Sequence, residues 1–330
     1  MVSEPYSFAT LNNRLMIKGN LVAVTALRIG SGRDTNVIGN DLPVLRDSLG
    51  APFIPGASLK GAFRARVEAL VRAVIQDNGI SDFKQLEKLS RELSEISNRV
   101  KDEEQRRAPF DQAIQKITPE LAALDFDQLE KRTQAVGQLK QTNRDLSDEQ
   151  LSAIIWNHST LIDLTFGSPE IAGRIFFKDA LVDRSIWFDQ FETRNGVALN
   201  RDTETAEEGL LYDYEVVPAG TRFDFELVLE NAKEWQLGMI LLALKPWERG
   251  EVQIGGFRSR GLGYVRLMGP GDSEHPEVRF TSVQTVDDVL RLLADGGGTE
   301  IDAAQAKQWC SAFIAVLKEP KLAHKEAANA

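Results

Sequence analysis

The sequence has very few of the residues that build disulfide frameworks and zinc centres. Of its 330 residues one is a cysteine, Cys310, and three are histidines, His158, His275 and His324. These residues are scattered along the chain, whereas a zinc site needs several such ligands at short, characteristic spacings. A disulfide framework and a Cys/His zinc site are therefore both excluded.

Long apolar runs are also missing. No run approaches the roughly 20 residues that a membrane-spanning helix needs, and the N-terminal residues MVSEPYSFATLNNRLMIKG lack the charged-then-apolar layout of a signal peptide. Apolar residues make up 42% of the chain, which is ample for a packed core. We expect a soluble, cytoplasmic protein of one large domain or two ordinary ones, with no membrane partner.

An excess of positive charge is absent as well. The chain has 39 Lys and Arg against 49 Asp and Glu, a formal net charge of −10, which at first argues against nucleic acid because phosphate contacts need cations. The distribution of the charges matters more than their sum. The stretches Pro55–Val67 and Gly255–Arg266 each contain three cationic residues and no acid. Such local basic stretches on an acidic body indicate binding of one strand along one face.

The most informative stretch runs from Leu27 to Arg66. It reads LRIGSGRDTNVIGNDLPVLRDSLGAPFIPGASLKGAFRAR and predicts the end of a strand, a loop with Gly30 and Gly32, a Pro/Gly turn and a helix that starts after Gly56. Free amides at a helix N-terminus and basic residues one turn apart favour an anion. The predicted phosphate contacts in this helix are Ser58, Lys60 and Arg64. The alternative is a strand–loop–helix unit whose glycines only serve turns.

A second glycine-rich stretch, IGGFRSRGLGYV, runs from Ile254 to Val265. Its four glycines around two arginines permit close backbone approach to an anionic chain. It contains no G-x-x-x-x-G-K-[ST] motif, so an ATP-binding P-loop is not supported. The predicted contacts to such a chain are Gly255, Gly256, Arg258 and Arg260. A structural loop with solvated arginines is the alternative.

Periodicity predicts an α+β fold. Thr221 to Leu229 alternates as a strand with Phe223, Phe225, Leu227 and Leu229 on one face. Residues 14–28 also read as a strand, 235–244 as a buried helix, and 286–294 and 301–318 as amphipathic helices. Phe176 and Phe177, at the start of a β-rich run, are expected in the core.

Residues 77–155 have a different hydrophobic pattern from the stretches described so far. Leu86, Leu89, Leu93, Ile96 and Val100 recur at three- and four-residue steps, the pattern of a helical a/d seam. Ser147 and Gln150 have the spacing of a capping box. The region is predicted to be a helical insertion, either a solvated arm that packs on its own body or a docking surface for a neighbouring subunit.

Several of these stretches together resemble the RAMP superfamily, and more narrowly the backbone subunit of type III CRISPR effector complexes. The matching motifs are G-x-G, D-L-P-V and I-P-G-A-S-L-K-G in the first stretch, then L-T-F-G with G-R-I-F-F-K-D-A, and finally the C-terminal glycine-rich loop. The resemblance covers most of 14–76 and 155–268. It implies a ferredoxin-like (RRM-like) core, in 1–76 and 156–270, with a thumb β-hairpin at about 197–216. The C-terminal helical region, 271–330, and the insertion are not accounted for.

The resemblance implies a subunit that binds CRISPR guide RNA along its phosphate backbone without reading bases. Its partners would be guide RNA, target RNA, other RAMP subunits and the large subunit of the complex. Asn200, in the thumb segment, joins the two glycine-rich loops and the helix among the implied RNA contacts. Sequence recognition would come from base pairing with the guide, as in other RNA-guided systems.

The resemblance also implies that Asp41, the aspartate of D-L-P-V, is needed to cut target RNA with a divalent metal, Mg²⁺ or Mn²⁺, by attack of the neighbouring 2′-hydroxyl. The carboxylate would hold the metal or help to deprotonate the hydroxyl, and both roles stay open. Alternatively Asp41 is a turn residue before Pro43; Asp34 shares its loop but not its motif. Two other functions also stay open, a purely architectural subunit and a guide-processing endoribonuclease with His158 as acid–base.

Overall fold

A computed structural model describes residues 10–32, 42–74, 84–115, 137, 139, 146–157, 159–199, 206–295 and 298–319. The strands are β1 (Asn13–Ala23), β2 (Phe53–Ile54), β3 (Ile175–Phe177), β4 (Ala180–Leu181), β5 (Glu192–Leu199), β6 (Ala206–Val216), β7 (Arg222–Glu230), β8 (Val252–Gln253), β9 (Tyr264–Met268), β10 (Glu277–Ser282) and β11 (Thr299–Glu300). The helices are α1 (Gly56–Val74), α2 (Lys84–Arg99), α3 (Glu103–Gln115), α4 (Asp148–Asn157), α5 (Leu161–Phe166), α6 (Glu234–Glu248), α7 (Val286–Asp295) and α8 (Ala303–Lys318). Within the described ranges, no helix is long and apolar enough to cross a membrane.

The fold is α+β, as predicted, and its main sheet is antiparallel. Its strands lie in the order β11-β10-β1-β7-β3, and β9 pairs with both β1 and β8. On one side β1 pairs with β7 along most of its length; on the other it pairs first with β10 and then with β9. Buried residues alternate along β1 and β7, which confirms the strand predicted from Phe223 to Leu229. The predicted strand at 14–28 ends earlier, at Ala23, and its remainder enters a loop.

Helices cover one face of this sheet. Phe63 of α1 is fully buried and stacks on Trp247 of α6 with ring centroids 4.2 Å apart. Phe177 of β3 completes the layer, with its ring 5.1 Å from that of Phe63. Phe176 is 47% exposed, because successive side chains of a strand point to opposite faces. The expectation that both phenylalanines lie in the core is therefore wrong for Phe176.

The opposite face of the sheet carries ion pairs. Arg14 binds Glu230 at 2.6 Å across β1 and β7, and Glu226 accepts from Lys178 at 2.7 Å. Exposed pairs of this kind contribute little to stability, but they balance the charge of the face. A face of paired charges offers neither a surplus of cations nor an aromatic row on which bases would stack.

The helical region has a hydrophobic cluster of its own. Leu89 and Leu93 of α2 pack with Phe110 of α3 and Ile154 of α4, as the a/d spacing predicts for the first two. The capping box is confirmed, since the amide of Gln150 donates to Ser147 Oγ at 3.2 Å and Gln150 Oε1 accepts from the amide of Ser147. The predicted C-terminal helices are present as α7 and α8, and α8 packs on α6 so closely that a Cβ at Gly238 would lie 2.0 Å from the carbonyl oxygen of Trp309.

The stacked pair at the centre of the core gives a stability prediction. Phe63→Ala should lower the free energy of unfolding by about 3–5 kcal/mol, because it removes a buried ring and leaves a cavity against Trp247. Phe176→Ala is the matched control: the same truncation on the opposite face should cost about 1 kcal/mol, since that ring is half exposed. Urea unfolding of the two variants measures both, and equal losses would contradict the assignment of faces.

Candidate nucleic-acid interface

Four chain segments meet just beyond the end of β1. Leu27 forms a two-bond bridge with Val217, which follows β6, at 2.9 and 2.7 Å. On its other side the same stretch is paired with the C-terminal glycine-rich loop: Gly256 N–H donates to the carbonyl of Arg28 at 2.8 Å, and Gly263 N–H to that of Ala26 at 2.9 Å. The two glycine-rich loops that the sequence singles out are therefore joined through their backbones.

The segment that starts at Leu42 lies between the first loop and β6. The amide of Leu45 donates to the carbonyl of Ile29 at 2.8 Å, and the amide of Glu215 donates to the carbonyl of Leu42 at 3.1 Å. Arg46 then binds the Glu215 carboxylate with both distances at 2.8 Å. The base of the β5–β6 hairpin is thus fixed to the D-L-P-V segment from its second residue onward.

Aromatic rings and guanidinium groups connect the hairpin to the C-terminal loop. The rings of Tyr214 and Phe257 lie 4.8 Å apart. The Arg28 and Arg260 guanidinium carbons lie 5.1 and 4.9 Å from the Phe257 centroid. Arg260 also donates to the hydroxyl of Tyr212, which raises the pKa of the guanidinium. Its side chain therefore connects the loop to the hairpin, a role that the sequence does not reveal.

The predicted contacts differ in how they are placed. Gly30, Gly255 and Gly256 come together around Arg28. Arg258 is exposed, and its side chain makes no hydrogen bond or ion pair within the described ranges. Gly32 is exposed at the end of its described segment. The remaining predicted residues Asp41, Asp34, Asn200 and His158 lie outside the described residues.

Two amides at the start of α1 are engaged within the protein. The amide of Gly56 donates to Asp179 Oδ1 at 2.7 Å, and the amide of Ser58 donates to the carbonyl of Pro55 at 2.9 Å. Asp179 follows β3, so a side chain more than a hundred residues away caps this helix. The anion site expected at this helix N-terminus stays a prediction, with the side chains of Ser58 and Lys60 as its candidates.

Arg64 and Lys60 are held differently. The Arg64 guanidinium donates to Glu68 Oε1 and to the carbonyl of Gly167, both at 2.8 Å, so it joins α1 to the end of α5. Burial lowers the pKa of Lys60, and the nearby charge of Arg64 adds to this effect. No hydrogen bond or ion pair among the described residues links either side chain to the glycine-rich loops.

Sequence reasoning missed Arg28. The residue stands in the apolar run ALRIG, where one arginine looks like a solvated end of a strand. The structure buries it between the two glycine-rich loops. The glycines at 30 and 256 could have indicated that a large side chain packs against them. The sequence pattern alone does not say which side chain that is.

A metal site is not assembled by the described residues on their own. No group of three or more His, Cys, Asp or Glu side chains is placed to hold a metal ion in that part of the chain. Glu215, which lies next to Leu42, is engaged by Arg46 and by the amide of Val44 at 3.2 Å.

Comparisons with known proteins point in one direction. The family model of the RAMP superfamily matches residues 20–266. A stretch of 60 residues is 42% identical to the CRISPR system Cms endoribonuclease Csm3 of Methanocaldococcus jannaschii. That match spans 18% of this chain and 24% of the relative, so it covers about a quarter of the length of that protein.

The C-terminal loop gives a prediction about its backbone. Gly263 and Gly261 have φ values of +88° and +84°, so alanine at either position carries the left-handed penalty of roughly 1–2 kcal/mol. A Cβ at Gly263 would also lie 2.2 Å from the carbonyl oxygen of Ile254, whereas Gly261 faces open space. Gly263→Ala should therefore destabilise the protein by roughly 1–3 kcal/mol more than Gly261→Ala. Thermal or urea unfolding tests this, and equal effects would mean that the loop does not pack as described.

Proposed function

Because the chain belongs to the RAMP superfamily, we propose that it is a backbone subunit of a type III CRISPR RNA-guided effector complex. The observation that carries the proposal is the junction of the two glycine-rich loops with the base of the β5–β6 hairpin and the D-L-P-V segment. The short match to a protein named as a CRISPR endoribonuclease supports the same assignment. The partners would be guide RNA, target RNA, other RAMP subunits and the large subunit.

In this proposal the main sheet with α1 and α6 is the ferredoxin-like core, and the β5–β6 hairpin is the thumb. The guide RNA passes the glycine-rich loops, whose exposed backbone at Gly30 and Gly255 permits close approach of phosphates. Arg258 supplies a cation that pairs with no acid among the described residues, with Ser58, Lys60 and Asn200 as further contacts. Such contacts position the strand and carry no sequence information, so specificity comes from pairing with the guide.

The thumb and the D-L-P-V segment would act as one unit. Leu42 is hydrogen-bonded to Asp213 and Glu215 of the hairpin, at 3.2 and 3.1 Å. Asp41 directly precedes Leu42 in the sequence. Its carboxylate is proposed to act on the phosphodiester of the nucleotide that the thumb displaces.

The donor set suits a hard divalent cation that is shared with RNA. Mg²⁺ commonly keeps several waters and is held by one or two carboxylates together with phosphate oxygens, so Asp41 with the RNA backbone would suffice. Such an ion, when bound, stabilises negative charge on the phosphate. The protein would hold the strand on its loops and place the Asp41 carboxylate. Cleavage then follows attack of the neighbouring 2′-hydroxyl on the phosphorus and departure of the 5′-oxygen.

Asp41→Ala is the substitution that separates a cutting subunit from an architectural one. Binding of guide and target should persist, because removal of a negative charge near phosphates costs no attraction. Cutting of complementary RNA at this subunit's position should disappear, while cuts at neighbouring subunits continue. Gel analysis of end-labelled target RNA measures this, and in the wild type EDTA should abolish the same cut and Mg²⁺ or Mn²⁺ restore it.

Asp34→Ala is the matched control, since it removes a carboxylate from the same loop but not from the motif. It should leave the cut intact. Cutting by the Asp41→Ala variant at near wild-type rate would make Asp41 a turn residue, and the subunit would then be architectural or use another group, with Asp34 next in line. Cleavage of a hairpin precursor that depends on His158 would instead indicate guide processing.

The arginines of the C-terminal loop give a prediction about affinity. For single-stranded RNA the slope of log K against log salt should become shallower by about 0.7 for each phosphate that the protein no longer neutralises. Arg258→Ala should show this change. Arg260→Ala should show less of it, because that guanidinium is already engaged by Tyr212. Filter binding or fluorescence anisotropy across a salt series measures both changes. An unchanged slope in the double variant Arg258→Ala/Arg260→Ala would exclude these side chains as phosphate contacts.

A further inference from the structure

Arg28 is a buried cation without an anionic partner among the described residues. Arg28 is only 9% exposed. Its Nε is buried and has no hydrogen-bond partner among the described residues. The ring of Phe257 lies 5.1 Å away and supplies a cation–π contact. A charge buried to this extent is costly unless a paired anion or several hydrogen bonds compensate it.

Two glycines let the guanidinium pack directly against the backbone of both loops. A Cβ at Gly30 would lie 2.8 Å from Nη1 and 3.0 Å from Nη2 of Arg28, and a Cβ at Gly256 would lie 3.4 Å from Nη1. Neither glycine is among the residues with a left-handed φ, so the backbone conformation does not require glycine at these positions. What their lack of a side chain provides is room for the guanidinium itself, which lies next to the exposed residue Gly30.

The charges around the Arg28 guanidinium favour an anion. The loop that contains Gly256 carries two further arginines and no acid between Gly255 and Arg266. Burial lowers the pKa of Arg28, the direction expected for a cation without a counter-charge. A bound anion would reverse this cost, and a phosphate oxygen pair matches the fork of a guanidinium group.

We propose that Arg28 binds a phosphodiester of the guide RNA beside the exposed residue Gly30, where the two glycine-rich loops meet. The inference rests on the proposed function and assigns it a specific contact. Two non-bridging oxygens accept hydrogen bonds from Nη1 and Nη2, while Phe257 and the paired backbones of both loops hold the guanidinium in place. One phosphate would thus be fixed at the junction that also holds the base of the β5–β6 hairpin.

The test is RNA binding by the full-length protein over a salt series, with fluorescently labelled single-stranded RNA as the probe. Arg28→Gln should weaken binding about tenfold or more, the range of hydrogen bonds to charged groups, and should make the salt slope shallower by about 0.7. Arg28→Lys keeps the charge, so it should keep the slope while it loses part of the affinity through the missing fork. A role limited to loop packing would change stability but not the slope.

A second variant leaves Arg28 in the chain. Gly30→Ala places a methyl group 2.8 Å from Nη1 of Arg28, so the guanidinium must move from its position. Because it is the far end of a flexible side chain, the fold should tolerate this shift. Binding should weaken in this variant as well. Arg279→Gln is the control: it removes one arginine that pairs with Glu277 on β10, away from the loops, and should leave affinity and slope unchanged.

The outcomes separate this inference from the function on which it rests. If the wild type binds RNA and Arg28→Gln binds with the same affinity and slope, Arg28 is not a phosphate contact and the proposed function stands. If the wild type shows no salt-dependent RNA binding at all, both fail. A weakening confined to Arg28→Gln and Gly30→Ala, with the control unaffected, supports the contact.

Discussion

The backbone pairing of residues 26–28 on both sides is the constraint on which the candidate interface depends. These residues follow β1 in the chain, and their backbone groups are shared between Val217 on one side and the glycines at 256 and 263 on the other. Buried backbone groups must be paired, so this stretch cannot shift without breaking contacts to the hairpin and to the loop together. The hairpin, the D-L-P-V segment and both loops therefore form one structural unit.

Glycine permits this arrangement by its lack of a side chain. At Gly263 a side chain would run into the carbonyl of Ile254, and at Gly30 it would meet the guanidinium of Arg28. The first case is a close approach of two backbone segments, while the second lets a guanidinium group pack against the backbone. Two glycines in motifs that look alike in sequence thus serve different physical purposes: one makes room for a backbone segment and the other for a cationic side chain.

The acidic net charge is compatible with a nucleic-acid interface because the charges are segregated. On the open face of the sheet, acids are paired with neighbouring cations, as Glu226 is with Lys178. The loop from Gly255 to Arg266 has no acid, and Arg258 has no partner among the described residues. Screening limits electrostatic effects to about a Debye length, so a local excess of arginine can attract phosphate although the whole chain is acidic.

The amino-acid sequence was sufficient for the elements and for the family. Alternation from Phe223 to Leu229, the helix after Gly56 and the capping box of Ser147 and Gln150 depend on neighbours within a few residues, which a one-dimensional pattern records. The glycine-rich motifs likewise singled out two loops that the structure joins through their backbones. The sequence could not show which side chains within those loops are free of other contacts, because such contacts come from residues far away in the chain.

Asp179 caps the helix that begins at Gly56, Tyr212 engages Arg260, and Arg64 joins α1 to the end of α5. Each of these contacts engages a group that the sequence placed among the predicted anion contacts, and each joins parts of the chain separated by many residues. Arg28 is the reverse case, a residue that looks ordinary in sequence. Its significance arises only when two loops more than two hundred residues apart close around it, because burial and the lack of a counter-charge are properties of the packed chain.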